Sequence, residues 1–239
     1  MYPELAAFRI TEGVSPNVCE EVGRVVAQMP LRLAQEELAR RGIELDLKAV
    51  KRISLQLGLQ MLAQRTHDLM LFREGKLEAG DEFAGERIAV QIDGGRTRIR
   101  TSVEEVVGKG QKRRKYKIEW REPKLVTIFI LDKDGRMKRD SRAVIDGTLC
   151  GPDALIELVA FHLHRLGAAQ ATEVVFVGDG AKWIWNRLDW VVEKASLEPD
   201  RVFEVLDWCH ATHHISLALE DLGLTKADRQ ERYRRLRKL

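Results

Sequence analysis

Two aspartates each end a short apolar run, and each is followed by glycine. Asp93 closes RIAVQID in the context IDGG, and Asp179 closes TEVVFVGD in the context GDGA. If the two runs form neighbouring parallel strands, both carboxylates emerge at one edge of the sheet, where open α/β sheets bind ligands. Carboxylates that lie this close repel each other unless a cation lies between them. Because Mg²⁺ takes oxygen ligands and assists phosphoryl transfer, the pattern predicts a Mg²⁺ (or Mn²⁺) site at Asp93 and Asp179.

A second interpretation of Asp179 needs no metal. Aspartate is a favourable N-cap, and the segment AKWIWNRLDWVVEKA that follows is predicted as one helix. The matching aspartate at position 93 favours the metal site over the cap. The glycines beside both aspartates are expected to let backbone and substrate approach the ions closely.

The segment LDWCHATHH brings a third acid and several histidines together. Asp207 and His210 stand three residues apart, where a predicted strand passes into a helix. A zinc site made of Cys209, His210, His213 and His214 is disfavoured, because contiguous ligands do not easily close a tetrahedron. Other candidates are predicted to serve packing, with base stacking as an alternative for the tryptophans: His162, His164, Trp183, Trp185 and Trp190.

The elements that position these residues follow the order β-β-β-α-β-α-β-α. The strands are predicted at 87–93, 124–131, 141–149, 172–179 and 201–208. Three consecutive strands favour an antiparallel meander, and strands separated by helices favour parallel pairing. This order is the one found in ribonuclease H-like folds. The sequence therefore predicts an α/β protein (α+β, mixed sheet) with a ribonuclease H-like catalytic core at 87–222.

The first third of the chain is predicted to be helical. Apolar positions at helical spacing run through VCEEVGRVVAQM, LRLAQEELARR and the segment after the N-cap candidate Asp46. The tight turn GIELD suggests a helix-turn-helix within 1–73, and an ordinary helical hairpin is the alternative. A polar segment at 74–86 is predicted as the linker. The candidate recognition helix offers basic and amide side chains to DNA at Lys48, Lys51, Arg52 and Gln56.

Charge is unevenly distributed along the 239 residues. The net charge of +3 creates no strong overall attraction to nucleic acid, but the run KGQKRRKYK holds six basic residues and no acid. Such runs are solvated faces or contacts to a polyanion, and the second is predicted for Lys112, Arg113, Arg114 and Lys115. A second basic stretch, 223–239, is predicted as helical. Three unpaired cysteines, no signal peptide and no long apolar segment predict a cytoplasmic protein without a membrane span.

These motifs resemble those of DDE transposases of the Mutator-like superfamily, most closely the Kra-type bacterial insertion sequences. GDGAKWIW at Gly178–Trp185 matches their GDGAxWIW motif, and IDG at Asp93 matches the VDG context of their first acid. DWCHATHHI is similar to their D-x-x-H motif at Asp207 and His210, with His213 where Glu is common. The resemblance spans about residues 15–222.

The resemblance implies a transposase that uses Mg²⁺ (or Mn²⁺) to cleave element ends and join them to target DNA as a homo-oligomer. Asp93 and Asp179 would be catalytic metal ligands, and Asp207 and His210 would be positioned near them. Members of the family also need a glutamate well beyond the second aspartate, and Glu220 lies too early to match it. The chain is therefore expected to be C-terminally truncated, and to bind DNA without cutting it. Two alternatives are an inactive DNA-binding competitor and an unrelated ribonuclease H-like nuclease.

Overall fold

A computed structural model of the chain describes residues 14–102 and 116–236. The chain divides into two compact units, Met1–Lys76 and Leu77–Leu239. The division falls inside the polar segment 74–86. Residues on its C-terminal side are packed within the second unit, where Phe83 is buried and Gly80 N–H donates to the Arg165 carbonyl at 3.1 Å.

In the described residues of the first unit, three helices form a cluster: α1 (Pro16–Val26), α2 (Leu31–Arg40) and α3 (Leu47–Arg73). Ser15 caps α1, and Asp46 caps α3 by accepting from Ala49 N–H at 2.6 Å, as predicted for Asp46. The apolar positions meet in one small core formed by Val22, Val25, Ala34, Leu38, Val50 and Ile53.

The connection from α2 to α3 is a tight turn. Gly42 has φ +79, a left-handed conformation that favours glycine after a helix. The turn is held from both sides, since Ile43 N–H donates to the Leu38 carbonyl and the Gln35 amide donates to the Leu45 carbonyl. Only the first part of α3 is buried in this cluster, and Leu55 and several later apolar side chains of α3 are exposed.

The second unit is built on a five-stranded mixed sheet. Its strands are β1 (Arg87–Gly94), β4 (Lys124–Leu131), β5 (Val144–Thr148), β6 (Glu173–Gly178) and β7 (Val202–Leu206). Their spatial order is β5-β4-β1-β6-β7; β1 is antiparallel to β4 and parallel to β6, and β6 is parallel to β7. The predicted mixed α/β architecture, with N-terminal helices before the sheet, is confirmed.

Helices flank this sheet in the order predicted. They are α4 (Pro152–Arg165), α5 (Lys182–Trp185), α6 (Leu188–Lys194), α7 (Trp208–Asp221) and α8 (Lys226–Leu236). Helix α4 is apolar almost all round and buries residues such as Leu155, Val159 and Phe161. One face of the sheet is buried, with Val90 and Phe176 fully enclosed, whereas the other carries exposed apolar side chains including Ile145 and Phe203.

Two details differ from the sequence prediction. Residues 182–194 form two helices rather than one, because Arg187 leaves the helical conformation and bonds Asp153 at 2.6 Å and the Trp183 carbonyl at 3.1 Å. Two further strands, β2 (Thr97–Ser102) and β3 (Tyr116–Arg121), were missed and form an antiparallel ribbon.

No helix within the described residues is long and apolar enough to cross a membrane.

Candidate active site

Strand register aligns the three predicted aspartates. Gln91 of β1 pairs with Val177 of β6, and Val177 pairs with Val205 of β7. Two residues further along the parallel strands, Asp93, Asp179 and Asp207 therefore occupy equivalent positions at the carboxyl edge. Since side chains alternate between the faces of a sheet, all three belong to the face that carries the exposed apolar residues. The predicted parallel pairing of the strands that lead to Asp93 and Asp179 is confirmed.

Asp93 and Asp179 meet a histidine from the following helix. One potential ligand atom each from Asp93, Asp179 and His210 lies within 4.8 Å of the other two. Asp93 is exposed, and the other two are partly buried. The structure thus brings together the two aspartates predicted to bind metal and one of the two residues predicted to stand near them.

Asp207 positions the histidine and is not a member of this group. Its carboxylate caps α7 by accepting from Cys209 N–H at 2.6 Å, which fixes the start of the helix. His210 follows within the first turn, with Nδ1 3.4 Å from Asp207 Oδ2. The cap therefore determines where α7 begins and where His210 projects.

His210 has an unsatisfied nitrogen. Its Nδ1 atom is buried and forms no hydrogen bond within the described residues, because the 3.4 Å approach to Asp207 lacks hydrogen-bond alignment. Leaving a buried polar group unpaired costs about 1–3 kcal/mol. His210 thus has a buried nitrogen without a hydrogen bond, and one of its ring nitrogens lies with the carboxylates of Asp93 and Asp179, where a cation could bind.

The chemistry of the donor set fits a divalent ion. Two carboxylates suit Mg²⁺ and Mn²⁺, and an imidazole favours Mn²⁺ of the two. Cys209, the one thiol of the disfavoured zinc cluster, is exposed and lies outside the group. The arrangement can hold a cation of the predicted kind at Asp93, Asp179 and His210.

The loop around Asp179 is stabilised by its own backbone. Asp179 Oδ1 accepts from Ala181 N–H at 2.9 Å, and Ala181 rather than Asp179 is the N-cap of α5. Gly180 has φ +82, which a side chain would strain, and a Cβ on Gly178 would lie 3.3 Å from the Trp185 ring. The two glycines are explained by this turn and its packing, so no approach of substrate is needed to account for them.

A buried lysine beside the site escaped sequence analysis. The Lys124 side chain is 6% exposed, and its Nζ lies 3.0 Å from Glu122 and 4.6 Å from the centroid of the Trp183 ring. A Cβ on Gly94 would lie 3.2 Å from that Nζ, so the glycine after Asp93 makes room for it. Lys124 thus ties the start of β4 to the helix that follows Asp179. Its place at the head of an apolar strand gave no sign of burial.

The residues predicted to contact DNA fall into three groups. Lys48, Lys51 and Arg52 are exposed on the first turns of α3, and Gln56 is partly buried and lines a pocket beside Cys19. The predicted basic contacts Lys112, Arg113, Arg114 and Lys115 lie outside the described residues.

Other candidates take part in local structure. His162 is buried and bonds Asp146 at 2.8 Å, and His164 bonds the Leu77 carbonyl at 2.9 Å. Glu220 forms an ion pair with Arg229 at 2.9 Å and does not lie with Asp93, Asp179 and His210, the candidate metal-binding group. These contacts explain each side chain without catalysis.

Comparison of the chain with models of protein families, with curated proteins and with solved structures finds no match.

Proposed function

We propose that the chain acts in DNA strand transfer as a DDE-type transposase, or as part of one, with a ribonuclease H-like core. The observation that carries this proposal is the convergence of Asp93, Asp179 and His210 at the carboxyl edge of parallel strands. In complete form such a protein binds insertion-sequence ends, cleaves them and joins them to a target. The order β5-β4-β1-β6-β7, with helices after β5, β6 and β7, supports the proposed core.

Each site residue has a definite role in this proposal. Asp93 and Asp179 would hold Mg²⁺ or Mn²⁺ through carboxylate oxygens, and His210 would offer a ring nitrogen to the same ion. The bound cation would supply Lewis-acid polarisation of a phosphate oxygen and offset the charge that develops there. Asp207 positions His210 by capping α7. Exposure of Asp93 leaves the site accessible to a polyanion from one side.

The proposed DNA contacts use the first unit as well. The turn between α2 and α3 is compatible with a helix-turn-helix, in which α3 presents Lys48, Lys51 and Arg52 to DNA. Basic side chains of this kind neutralise phosphates and make binding strongly dependent on salt.

One observation favours a second candidate function, an inactive DNA-binding competitor. Within the described residues, the metal-binding group contains two carboxylates rather than three, and Glu220 is paired with Arg229. Two carboxylates offset only half the charge of two divalent ions, and each ion needs about six oxygen ligands. Loss of one member of a catalytic set commonly reduces the rate by several orders of magnitude.

A plasmid assay separates the two candidates. Purified chain is incubated with a supercoiled plasmid that carries candidate element ends, with Mg²⁺ or Mn²⁺ or with EDTA. Nicking that requires metal and disappears in Asp179→Asn would establish an active enzyme. Asp189→Asn, which changes an exposed aspartate of α6, is the control.

The competitor predicts a different outcome in the same assay. Salt-sensitive binding to the element ends without nicking in either metal identifies it. Absence of both DNA binding and Mn²⁺ binding would exclude both candidates.

A further inference from the structure

The ribbon of β2 and β3 extends the hairpin that carries Asp93. Gly94 of β1 pairs with Lys124 of β4, and Thr97 of β2 pairs with Arg121 of β3, so no residue is gained or lost between the two ladders. Gly95 N–H donates to the Pro123 carbonyl at 3.0 Å and bridges them. The ribbon therefore continues outward from the edge of the sheet at which the metal-binding group lies.

One face of this ribbon combines arginines with large apolar side chains. Cross-strand pairs share a face, and here Arg98 pairs with Trp120 and Arg100 with Ile118. We call this surface the ribbon face, and it comprises Arg96, Arg98, Arg100, Tyr116, Ile118 and Trp120. All six are exposed, with Trp120 at 60%. Large apolar side chains on an open surface mark a binding site more often than an accident of packing.

Within the part of the chain that the structure describes, the arginines of the ribbon face form no ion pair with a carboxylate, and Glu122, opposite Arg96 in the same register, is paired with Lys124 at 3.0 Å. The guanidinium groups of Arg96 and Arg98 lie 5.4 and 5.7 Å from the Trp120 ring centroid. The one acid described on β2 or β3 is Glu119, and it lies on the opposite face.

On that opposite face, Glu119 is paired with two basic side chains. Hydrogen bonds from Lys117 and Arg121, both at 3.1 Å, lower the pKa of the Glu119 carboxyl and keep it ionised between two cations. The ribbon thus separates a neutralised face from one that is cationic and aromatic.

We propose that the ribbon face binds single-stranded DNA, with unpaired bases stacked on Trp120 and Tyr116 and phosphates held by Arg96, Arg98 and Arg100. Stacking needs a free base face, which a duplex hides, whereas arginine binds phosphates in either form. A cationic surface interleaved with aromatic rings is complementary to a flexible polyanion that carries planar bases. Binding itself does not require the metal site; only the role of the bound strand, as DNA beside the reacting phosphate, rests on the proposed function.

Fluorescence anisotropy of labelled oligonucleotides tests this proposal. The full chain is titrated, in EDTA, into fluorescein-labelled dT15 and into a 15-base-pair duplex. Trp120→Ala is expected to weaken binding to dT15 by about 5- to 100-fold and to change duplex binding by less than about twofold. Phe203→Ala, which removes an exposed aromatic side chain of β7, is the matched control and keeps wild-type affinity for dT15.

Two further variants keep the test decisive. Trp120→Phe retains an aromatic face, so its loss in dT15 affinity is smaller than that of Trp120→Ala. Arg98→Gln lowers the slope of log affinity against log salt concentration by about 0.7 for a single strand. Far-UV circular dichroism verifies that each variant is folded.

Three results would overturn the proposal. The first is that the wild-type chain does not bind dT15. The second is that folded Trp120→Ala binds dT15 within twofold of wild type. The third is that Trp120→Ala loses as much affinity for the duplex as for the single strand. Because EDTA is present throughout, failure of the metal site leaves this test intact. Conversely, loss of the Trp120 effect leaves the metal-dependent function untouched.

Discussion

His210 is the side chain whose state depends most directly on a bound ion. Its buried Nδ1 lacks a hydrogen bond, and it lies beside the carboxylates of Asp93 and Asp179. A cation bound by His210 and the two carboxylates would remove the repulsion between the two acids. Binding of a metal should therefore stabilise the folded chain as well as complete the site.

The first prediction concerns affinity for Mn²⁺. Asp93→Asn and Asp179→Asn are each expected to weaken Mn²⁺ binding by at least about tenfold, because each removes a charged ligand. His210→Ala should weaken Mn²⁺ binding more than Mg²⁺ binding, since imidazole discriminates between these ions. Isothermal titration calorimetry with each ion measures both effects, and electron paramagnetic resonance of free Mn²⁺ measures the Mn²⁺ affinities independently. Equal affinity for Mn²⁺ in wild type and Asp179→Asn would contradict the proposed metal site. Asp189→Asn is the control and is expected to keep wild-type affinity.

A second prediction concerns the buried ammonium of Lys124. Lys124→Met keeps the aliphatic stem but removes the cation from the Trp183 ring, and it is expected to lower the free energy of unfolding by about 1–2 kcal/mol. Lys194→Met is the control, because its ion pair with Glu193 is exposed and contributes about 0–1 kcal/mol. Urea denaturation followed by circular dichroism compares them. Equal destabilisation of the two variants would show that the Trp183 contact is energetically unimportant.

Asp93 and Asp179 were predicted to lie together because an acid directly after an apolar strand is conspicuous in the sequence. The sequence grouped Asp207 with His210, whereas in the structure Asp207 caps α7 and His210 lies beside Asp93 and Asp179. Lys124 could not be found in this way. Its burial depends on Trp183 and Gly94, which come from segments distant in sequence.

Among the elements, α3 was anticipated closely, since its N-cap and the periodicity of its apolar residues are local properties. The ribbon was missed for the opposite reason. The segment TRIRTS of β2 is mostly polar, and its strands are stabilised by pairing with each other rather than by burial of one face. A strand that is exposed on both faces need not alternate polar with apolar residues, so this pattern does not detect it.

A third prediction belongs to α3. The double variant Lys51→Ala/Arg52→Ala is expected to weaken binding to element ends by about tenfold or more and to reduce its salt dependence, because two cationic contacts are removed. Anisotropy titrations at several salt concentrations provide the measurement. Arg24→Ala on α1 is the control, since Arg24 is already paired with Glu20 and Glu21. Unchanged binding by a folded double variant would contradict the role of α3 in DNA recognition.

At the scale of the molecule, the order of the five sheet strands and the helices between them was predictable because most of these strands are short apolar runs bounded by polar residues. The unequal burial of the two sheet faces was not, since it depends on where α4 and the other helices pack. Val174 and Phe176 are buried on one face, whereas Phe203 and Val205 of the neighbouring strand are 46% and 43% exposed on the other.

A fourth prediction follows from this asymmetry. Phe176→Ala should lower the free energy of unfolding by about 3–5 kcal/mol, because it opens a cavity in the core. Phe203→Ala is the matched variant on the adjacent strand and should cost about 1 kcal/mol or less. Urea denaturation, fitted with one dependence of the unfolding free energy on urea concentration for both variants, compares their stabilities. A large loss in Phe203→Ala would show that the exposed face is covered in solution.

The continuous pairing from β1 into β2 and from β3 into β4 also limits how this segment can change in length. One extra residue at 95 or 96 would turn β2 over, exchanging the arginines of the ribbon face for Thr97, Ile99 and Thr101, unless a bulge absorbed it. Two extra residues, matched by two opposite at 122–123, would keep every side chain on its face and lengthen the ribbon by about 7 Å. Homologous chains are therefore expected to gain or lose residues here in twos, with the same change in both strands.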